Sequence, residues 1–177
     1  MMEDFVVISE GIEATHSKGV ISVSKAGKTN SKIIDHPLVV LSVKDGKVHV
    51  TVKGDSRNHK KLLNTAIAHI KNLIAGLNND YIYNLKICSS HFPMDVSVKD
   101  NEIIVKNFLG ERKNRVAKIM PSTKVTINND TIIVSSHNKE FAGQTAANIE
   151  MATRLSNKDR RKFQDGIYMT VKAGEAI

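Results

Sequence analysis

One order of elements runs twice along this chain, and that repetition restricts the fold more than any other feature. In the first pass, apolar and polar residues alternate over 12–16, 20–25, 28–34, 38–44 and 47–53. A period of two belongs to half-buried strands. Ala26-Gly27 and Asp45-Gly46 punctuate them as tight turns, the second a strong two-residue hairpin signal. A 3, 4 spacing then takes over, and Leu62, Leu63, Ala66, Ile67, Ile70, Leu73, Ile74 and Leu77 form one stripe of a helix expected over 57–77. Asp55 or Ser56 is placed to cap its start, and Gly76 with Asn78-Asn79 to end it.

The second pass repeats the first. Segments 94–99 and 102–107 flank Asp100-Asn101; 112–119, 124–128 and, after the turn Asn129-Asp130, 131–136 follow. A helix over 140–154 comes next, with Ala142, Thr145, Ala146, Ile149 and Ala152 inward. Matching Val20-Ile21-Ser22-Val23 to Glu102-Ile103-Ile104-Val105, and Lys47-Val48-His49-Val50 to Thr131-Ile132-Ile133-Val134, gives offsets of 82 and 84 residues. Shared order and spacing at low identity predict an ancestral duplication. The expected class is α+β, with two similar domains, 1–80 and 81–177, each an antiparallel sheet packed on a helix. Tyr81-Ile82-Tyr83-Asn84-Leu85-Lys86-Ile87 also alternates and leads directly into the second domain, so the linker is short.

Composition narrows the partner. The 177 residues carry a net charge of +8 with 41% hydrophobic and 25% charged residues, a globular and basic balance. Nucleic acid is the commonest partner of such chains, because neutralised phosphates release counterions. Residues 1–80 hold eleven Lys/Arg against eight Asp/Glu, and residues 81–177 hold fifteen against ten. Five of the six arginines (Arg112, Arg115, Arg154, Arg160, Arg161) lie in the second half, and Arg forks two hydrogen bonds to one phosphate. Any RNA or DNA face is therefore expected there. No apolar run exceeds four residues, no secretory leader is visible, and Cys88 is the lone cysteine, so a soluble cytoplasmic protein with no membrane partner is expected.

Catalytic and nucleotide signatures are missing. There is no phosphate-binding glycine loop, dinucleotide fingerprint or nucleophile elbow. His59 and His69 stand ten apart without a partner set, which leaves a metal site unsupported. Cys88 with His91 reads as a small residue at a strand end, because no pattern in the sequence marks an activated thiol. Asn129-Asp130-Thr131 matches a glycosylation sequon but reads as a hairpin turn. No strand carries a paired aromatic platform, and the signature motifs of RRM and KH domains are absent. Binding should therefore address the backbone and shape of a folded RNA.

Two stretches stand out. In Val105-Lys106-Asn107-Phe108-Leu109-Gly110-Glu111-Arg112-Lys113-Asn114-Arg115, a strand meets an apolar pair, turns at Gly110 and presents three cations within four positions. In Leu155-Ser156-Asn157-Lys158-Asp159-Arg160-Arg161-Lys162-Phe163-Gln164-Asp165-Gly166-Ile167-Tyr168, Ser156 and Asp159 form a capping-box pattern, so a short helix is expected from Asn157. On it Lys158, Arg161 and Lys162 share a face and Phe163 anchors the other, before Gly166 and a closing strand over 167–171.

These stretches, with Arg57-Asn58-His59-Lys60 and Ser90-His91-Phe92-Pro93-Met94, closely resemble the universal large-ribosomal-subunit protein six family. The likeness is to its archaeal and eukaryotic branch, whose eukaryotic member is large-subunit protein nine. It runs collinearly over nearly the whole chain. The resemblance implies a duplicated two-domain α+β fold and a structural role without enzymatic activity, cofactor, metal or small-molecule substrate. It implies large-subunit rRNA as partner, with the second domain on 23S-type rRNA beside the sarcin–ricin loop. Neighbouring ribosomal proteins would sit near the stalk base, where translational GTPases dock, and the first domain would make fewer RNA contacts. Carried over residue by residue, Lys106, Arg112, Lys113 and Arg115 fall on the Phe-Leu-Gly loop, and Lys158, Arg160, Arg161, Lys162 and Tyr168 on the closing basic segment. The glycine- and lysine-rich C-terminal motif of the bacterial branch is absent, so its contacts do not transfer. The rival readings are a free-standing RNA-binding chaperone and an enzyme with an unrecognised interdomain site.

Overall fold

The computed structural model describes residues 2–44, 46–159 and 161–177. The chain divides into two compact units, Met1–Asn79 and Asp80–Ile177.

The first unit holds β1 (Met2–Val7), β2 (Glu13–Ser17), β3 (Val20–Lys25), β4 (Lys28–Ile33), β5 (Val39–Lys44), β6 (Lys47–Val52) and α1 (Arg57–Asn78). Its strands are divided between two antiparallel sheets, ordered β1-β6-β5 and β2-β3-β4. Alternation along β3 and β6 sends Ile21, Val23, Val48, Val50 and Val52 fully inward, where they meet the α1 stripe of Leu63, Ala66, Ile67, Ile70, Leu73, Ile74 and Leu77. Each large apolar side chain buried there contributes about 1.5–3 kcal/mol, so the stripe holds α1 in place more than its intrinsic propensity does.

The periodicity reading misses β1. Phe5-Val6-Val7-Ile8 is a continuous apolar run, yet β1 is an edge strand in which Val6, opposite Val48, is buried while Phe5 and Val7 stay exposed. At the start of α1, Ser56 occupies the cap position and its backbone N–H donates to His59 Nδ1 at 3.2 Å. The imidazole takes the place that Glu or Gln fills in the usual capping box. Gly54, at φ +133°, leaves room for it, since a Cβ there would sit 2.4 Å from His59 Cε1. Of the Asp45-Gly46 turn, Asp45 lies outside the described residues.

The second unit holds β7 (Tyr81–Cys88), β8 (Asp95–Lys99), β9 (Glu102–Lys106), a single 3-10 turn (Phe108–Gly110), β10 (Arg115–Lys118), β11 (Thr123–Asn128), β12 (Thr131–Ser136), α2 (Lys139–Ala152), β13 (Gly166–Lys172) and β14 (Glu175–Ala176). Again there are two antiparallel sheets, β10-β9-β8 and β11-β12-β7-β13-β14. The duplication is plain in this topology. β9 stands between β8 and β10 as β3 stands between β2 and β4, and β12 stands between β7 and β11 as β6 stands between β1 and β5. The second unit adds β13 and β14 along the side of β7 whose counterpart on β1 is an edge.

Asn138 caps α2, its Oδ1 accepting from the N–H groups of Glu140 at 2.9 Å and Phe141 at 3.4 Å. Ala142, Thr145, Ala146 and Ile149 face the core with Leu85, Ile103, Val105, Phe108, Ile132, Val134 and Ile167. Two expectations are corrected here. The strand expected over 112–119 begins only at Arg115, because the chain is still turning through Leu109 at φ 50° and Gly110 at φ 76°. The helix expected from Asn157 does not form. Asn157 adopts φ 56°, and Asp159 closes one turn by accepting at its carbonyl from the N–H groups of Lys162 and Phe163, at 3.1 and 2.9 Å.

Candidate nucleic-acid interface

Three connections of the second unit, 89–94, 107–114 and 153–165, are tied together by side chains. The central tie is Asp165, whose side chain is 1% exposed. Its carboxylate accepts from the backbone N–H of Ser90 at 2.6 Å and of His91 at 3.0 Å, and from the Ser90 hydroxyl at 3.3 Å. Its other oxygen lies 2.5 Å from His91 Nδ1. Burial alone would raise this carboxyl, but the hydrogen bonds from His91 and Ser90 outweigh it and bring the pKa down to about 2. The His91 ring stacks on Phe163 with centroids 5.0 Å apart, and Lys158 Nζ stands 4.6 Å from the Phe163 centroid. Two stretches 75 residues apart in sequence thus form one surface.

The Phe-Leu-Gly turn joins the same end. Phe108 is buried, and Asn107, in the left-handed region at φ 58°, donates from its side-chain amide to Pro93 O at 2.9 Å. The Phe92 ring packs 3.7 Å from the place a Cβ would take on Gly110. Arg115 clamps the turn from below. It pairs in a fork with Glu111 at 2.6 and 2.9 Å, donates to the α2-terminal carbonyls of Ala152 and Arg154 at 3.1 Å each, and lies 4.3 Å from the Phe108 centroid. The hydrogen-bonded guanidinium holds Glu111 below the usual carboxylate range. The carbonyls at a helix C-terminus carry partial negative charge, so a cation there also complements the helix dipole.

The nine sequence-selected residues therefore divide. Arg112 and Lys113 are exposed in the Phe-Leu-Gly loop, with no acidic partner among the described residues. Lys158, Arg161 and Lys162 are exposed on the closing segment. Without the expected helix they share no helical face. Arg161 instead folds back on Asp159 at 3.0 and 3.2 Å, a pair whose arginine side chain is 90% exposed and which therefore holds it weakly. This contact also lowers the Asp159 carboxyl. Three others are engaged inside the unit. Lys106 ends β9 and pairs across the ladder with Asp95 at 3.3 Å, Arg115 is the clamp just described, and the Tyr168 hydroxyl donates to Asp165 O at 3.2 Å. Arg160 lies outside the described residues.

The structure adds two residues to this end that the sequence reading left out of its candidate set. Arg154 is exposed where α2 ends, and its backbone carbonyl receives Arg115. In the sequence His91 stands as a neighbour of Cys88 and within the motif 90–94, and its pairing with Asp165, 74 residues away, spans too much sequence for any local pattern to show. Among the described residues no cluster of three or more His, Cys, Asp or Glu is placed to hold a metal ion, and no helix is long and apolar enough to cross a membrane.

Fold and loop end together define a class: a duplicated α+β protein whose second copy gathers exposed cations on side-chain-anchored connections. The family model described as Ribosomal protein L6 matches residues 92–166, a segment that contains the connections 107–114 and 153–165 and the end of 89–94. The large ribosomal subunit protein uL6 of Methanosarcina mazei is 38% identical over 168 residues, covering 95% of this chain and 96% of that protein. The protein of the same name from Methanococcus vannielii is 40% identical, covering 89% and 86%, and that of Nanoarchaeum equitans is 39% identical, covering 97% and 94%. The chain belongs to the ribosomal protein L6 (uL6) family and resembles its archaeal members.

Proposed function

We propose that this protein is a structural, non-enzymatic component of the cytoplasmic large ribosomal subunit, where it binds 23S-type rRNA chiefly through its second unit. The observation that carries the reading is the anchored loop end. Arg112, Lys113, Arg154, Lys158, Arg161 and Lys162 are exposed on two connections, 107–114 and 153–165, that side-chain contacts tie to each other and to the third, 89–94. Cations on a preorganised scaffold suit phosphates, which need charge and position more than base-specific chemistry. Within the family likeness, the rRNA concerned lies beside the sarcin–ricin loop, with other large-subunit proteins of the stalk base as neighbours. The protein would thereby support the region where translation factors dock.

Filter binding of the full chain to a large-subunit rRNA fragment containing that loop tests the reading. With about four to six phosphate contacts, affinity should fall roughly 10²- to 10³-fold between 50 and 200 mM salt. A flat salt profile would remove the phosphate interface. Competition by a fragment spanning 81–177, and not by one spanning 1–80, is the expected division of labour, and equal competition would overturn it.

A further inference from the structure

We propose that His91 reads RNA as RNA: its Nε2 accepts a hydrogen bond from a ribose 2′-hydroxyl of the bound strand, with the ring held in one tautomer by Asp165. This deepens the rRNA-binding reading and rests on it. The carboxylate of Asp165 is buried, and everything that surrounds it donates: the N–H groups of Ser90 and His91, and the Ser90 hydroxyl. An ionised carboxylate only accepts, so the proton in the contact between it and His91 sits on Nδ1. In the neutral form that the proposal assigns to His91, the two nitrogens have opposite roles, and the proton on Nδ1 makes Nε2 an acceptor. The stack on Phe163, at 5.0 Å and 26°, fixes the ring plane. The side chain remains 41% exposed, and no described residue hydrogen-bonds Nε2.

An exposed, oriented acceptor amid lysines and arginines is of no use to a phosphate, whose oxygens also only accept. The donors a folded RNA offers along its wide, shallow minor groove are chiefly 2′-hydroxyls, because most base N–H groups are occupied in pairing. DNA lacks that donor. The nearby cations bind both nucleic acids alike, so a fixed imidazole acceptor supplies discrimination that charge cannot. Because Asp165, Ser90 and Phe163 already immobilise the ring, the contact forms without the cost of ordering a side chain.

Interference mapping on the full-length protein tests this. The rRNA fragment is transcribed with sparse random 2′-deoxy substitution, and bound and unbound pools are compared. Wild-type protein should exclude 2′-deoxy at a discrete position. His91→Asn keeps an amide N–H directed at Asp165 but has no atom at Nε2. It should abolish interference at that position and weaken all-ribose RNA about three- to tenfold, while leaving affinity for a DNA copy unchanged. Retained interference in a folded His91→Asn protein, or equal losses on RNA and DNA, would overturn the inference. A second measurement needs no mutant: a single 2′-fluoro nucleotide at the mapped position cannot donate, so it should bind wild-type protein as poorly as 2′-deoxy. Full affinity of the 2′-fluoro RNA would also overturn the inference. Salt-dependent RNA binding that persists through either failure leaves the parent reading standing, whereas no binding of the unmodified fragment removes both.

Discussion

Acid should loosen the loop end of the second unit through one carboxyl group. The folded protein holds Asp165 at about 2, against an ordinary value of 3.8. Because the folded value is the lower one, the unfolded chain binds more protons in between, and stability must fall as pH falls. The contribution is present in full above about pH 5, declines through the ordinary carboxylate range, and is gone below the folded value. A difference of roughly two units corresponds to about 2–3 kcal/mol at 1.36 kcal/mol per unit. Asp165→Asn removes the titration and leaves at least one of the converging donors unpaired. It should be less stable than wild type by at least about 2 kcal/mol at pH 7, with the gap closing by about that amount toward pH 2. The assay is urea unfolding at stepped pH, read by tyrosine fluorescence. The chain has no Trp, and its three tyrosines, Tyr81, Tyr83 and Tyr168, all lie in the second unit, so the signal is specific to it. A gap between the two proteins that stays constant from pH 7 to pH 2.5 would refute the assignment, as would a variant as stable as wild type at neutral pH.

Arg112→Ala and Lys113→Ala should each weaken rRNA binding and reduce the slope of log affinity against log salt by roughly 1, with an unchanged melting temperature, as measured by filter binding and calorimetry. Arg115→Lys should behave oppositely: it keeps the charge but loses the fork to Glu111 and the reach to the α2 carbonyls, lowering stability by about 1–3 kcal/mol in urea unfolding while the salt slope of any remaining binding is preserved. Gly54→Ala should destabilise the first unit by about 1–3 kcal/mol, because a Cβ at φ +133° is strained and meets the His59 ring. Hydrogen exchange should show this as faster opening of the first turn of α1.

The parts of the fold that sequence exposes are those set by short-range physics. Two-residue periodicity and turn residues locate β3 and β12 to the residue, and the 3, 4 stripe locates α1, because there local preference and burial agree. β1 escapes because an edge strand carries a continuous apolar run without alternation. The partition of each half into two sheets escapes because periodicity reports which face of a strand is buried and says nothing of which strands share a ladder. The capping-box pattern at Ser156 misleads for a different reason. Its spacing is correct, but local hydrogen bonds worth about 1 kcal/mol compete here with long-range ones. Phe163 is committed to His91, and Asp165 to Ser90 and His91, so the chain reaches them by a single turn at Asp159 rather than along a helix.

That conflict also explains which candidate residues could be recognised from sequence alone. A search for cations finds Arg112, Lys113, Lys158, Arg161 and Lys162 as readily as it finds Arg115, because composition does not distinguish a charge facing solvent from one that closes a helix end. The distinction depends on geometry. Arg115 opens a strand beneath the C-terminus of α2, four residues after Glu111, so its guanidinium meets internal acceptors on both sides. Arg112 and Lys113 occupy the bend between that acid and that strand, where the backbone has already turned outward. The internal pairs and the exposed cations are thus two parts of one arrangement. Arg115 with Glu111, and Asp165 with Ser90 and His91, immobilise the connections, and the remaining charges are held apart at fixed positions without neutralising one another. Like charges gathered in this way repel, and the anchoring contacts hold them in place against that repulsion.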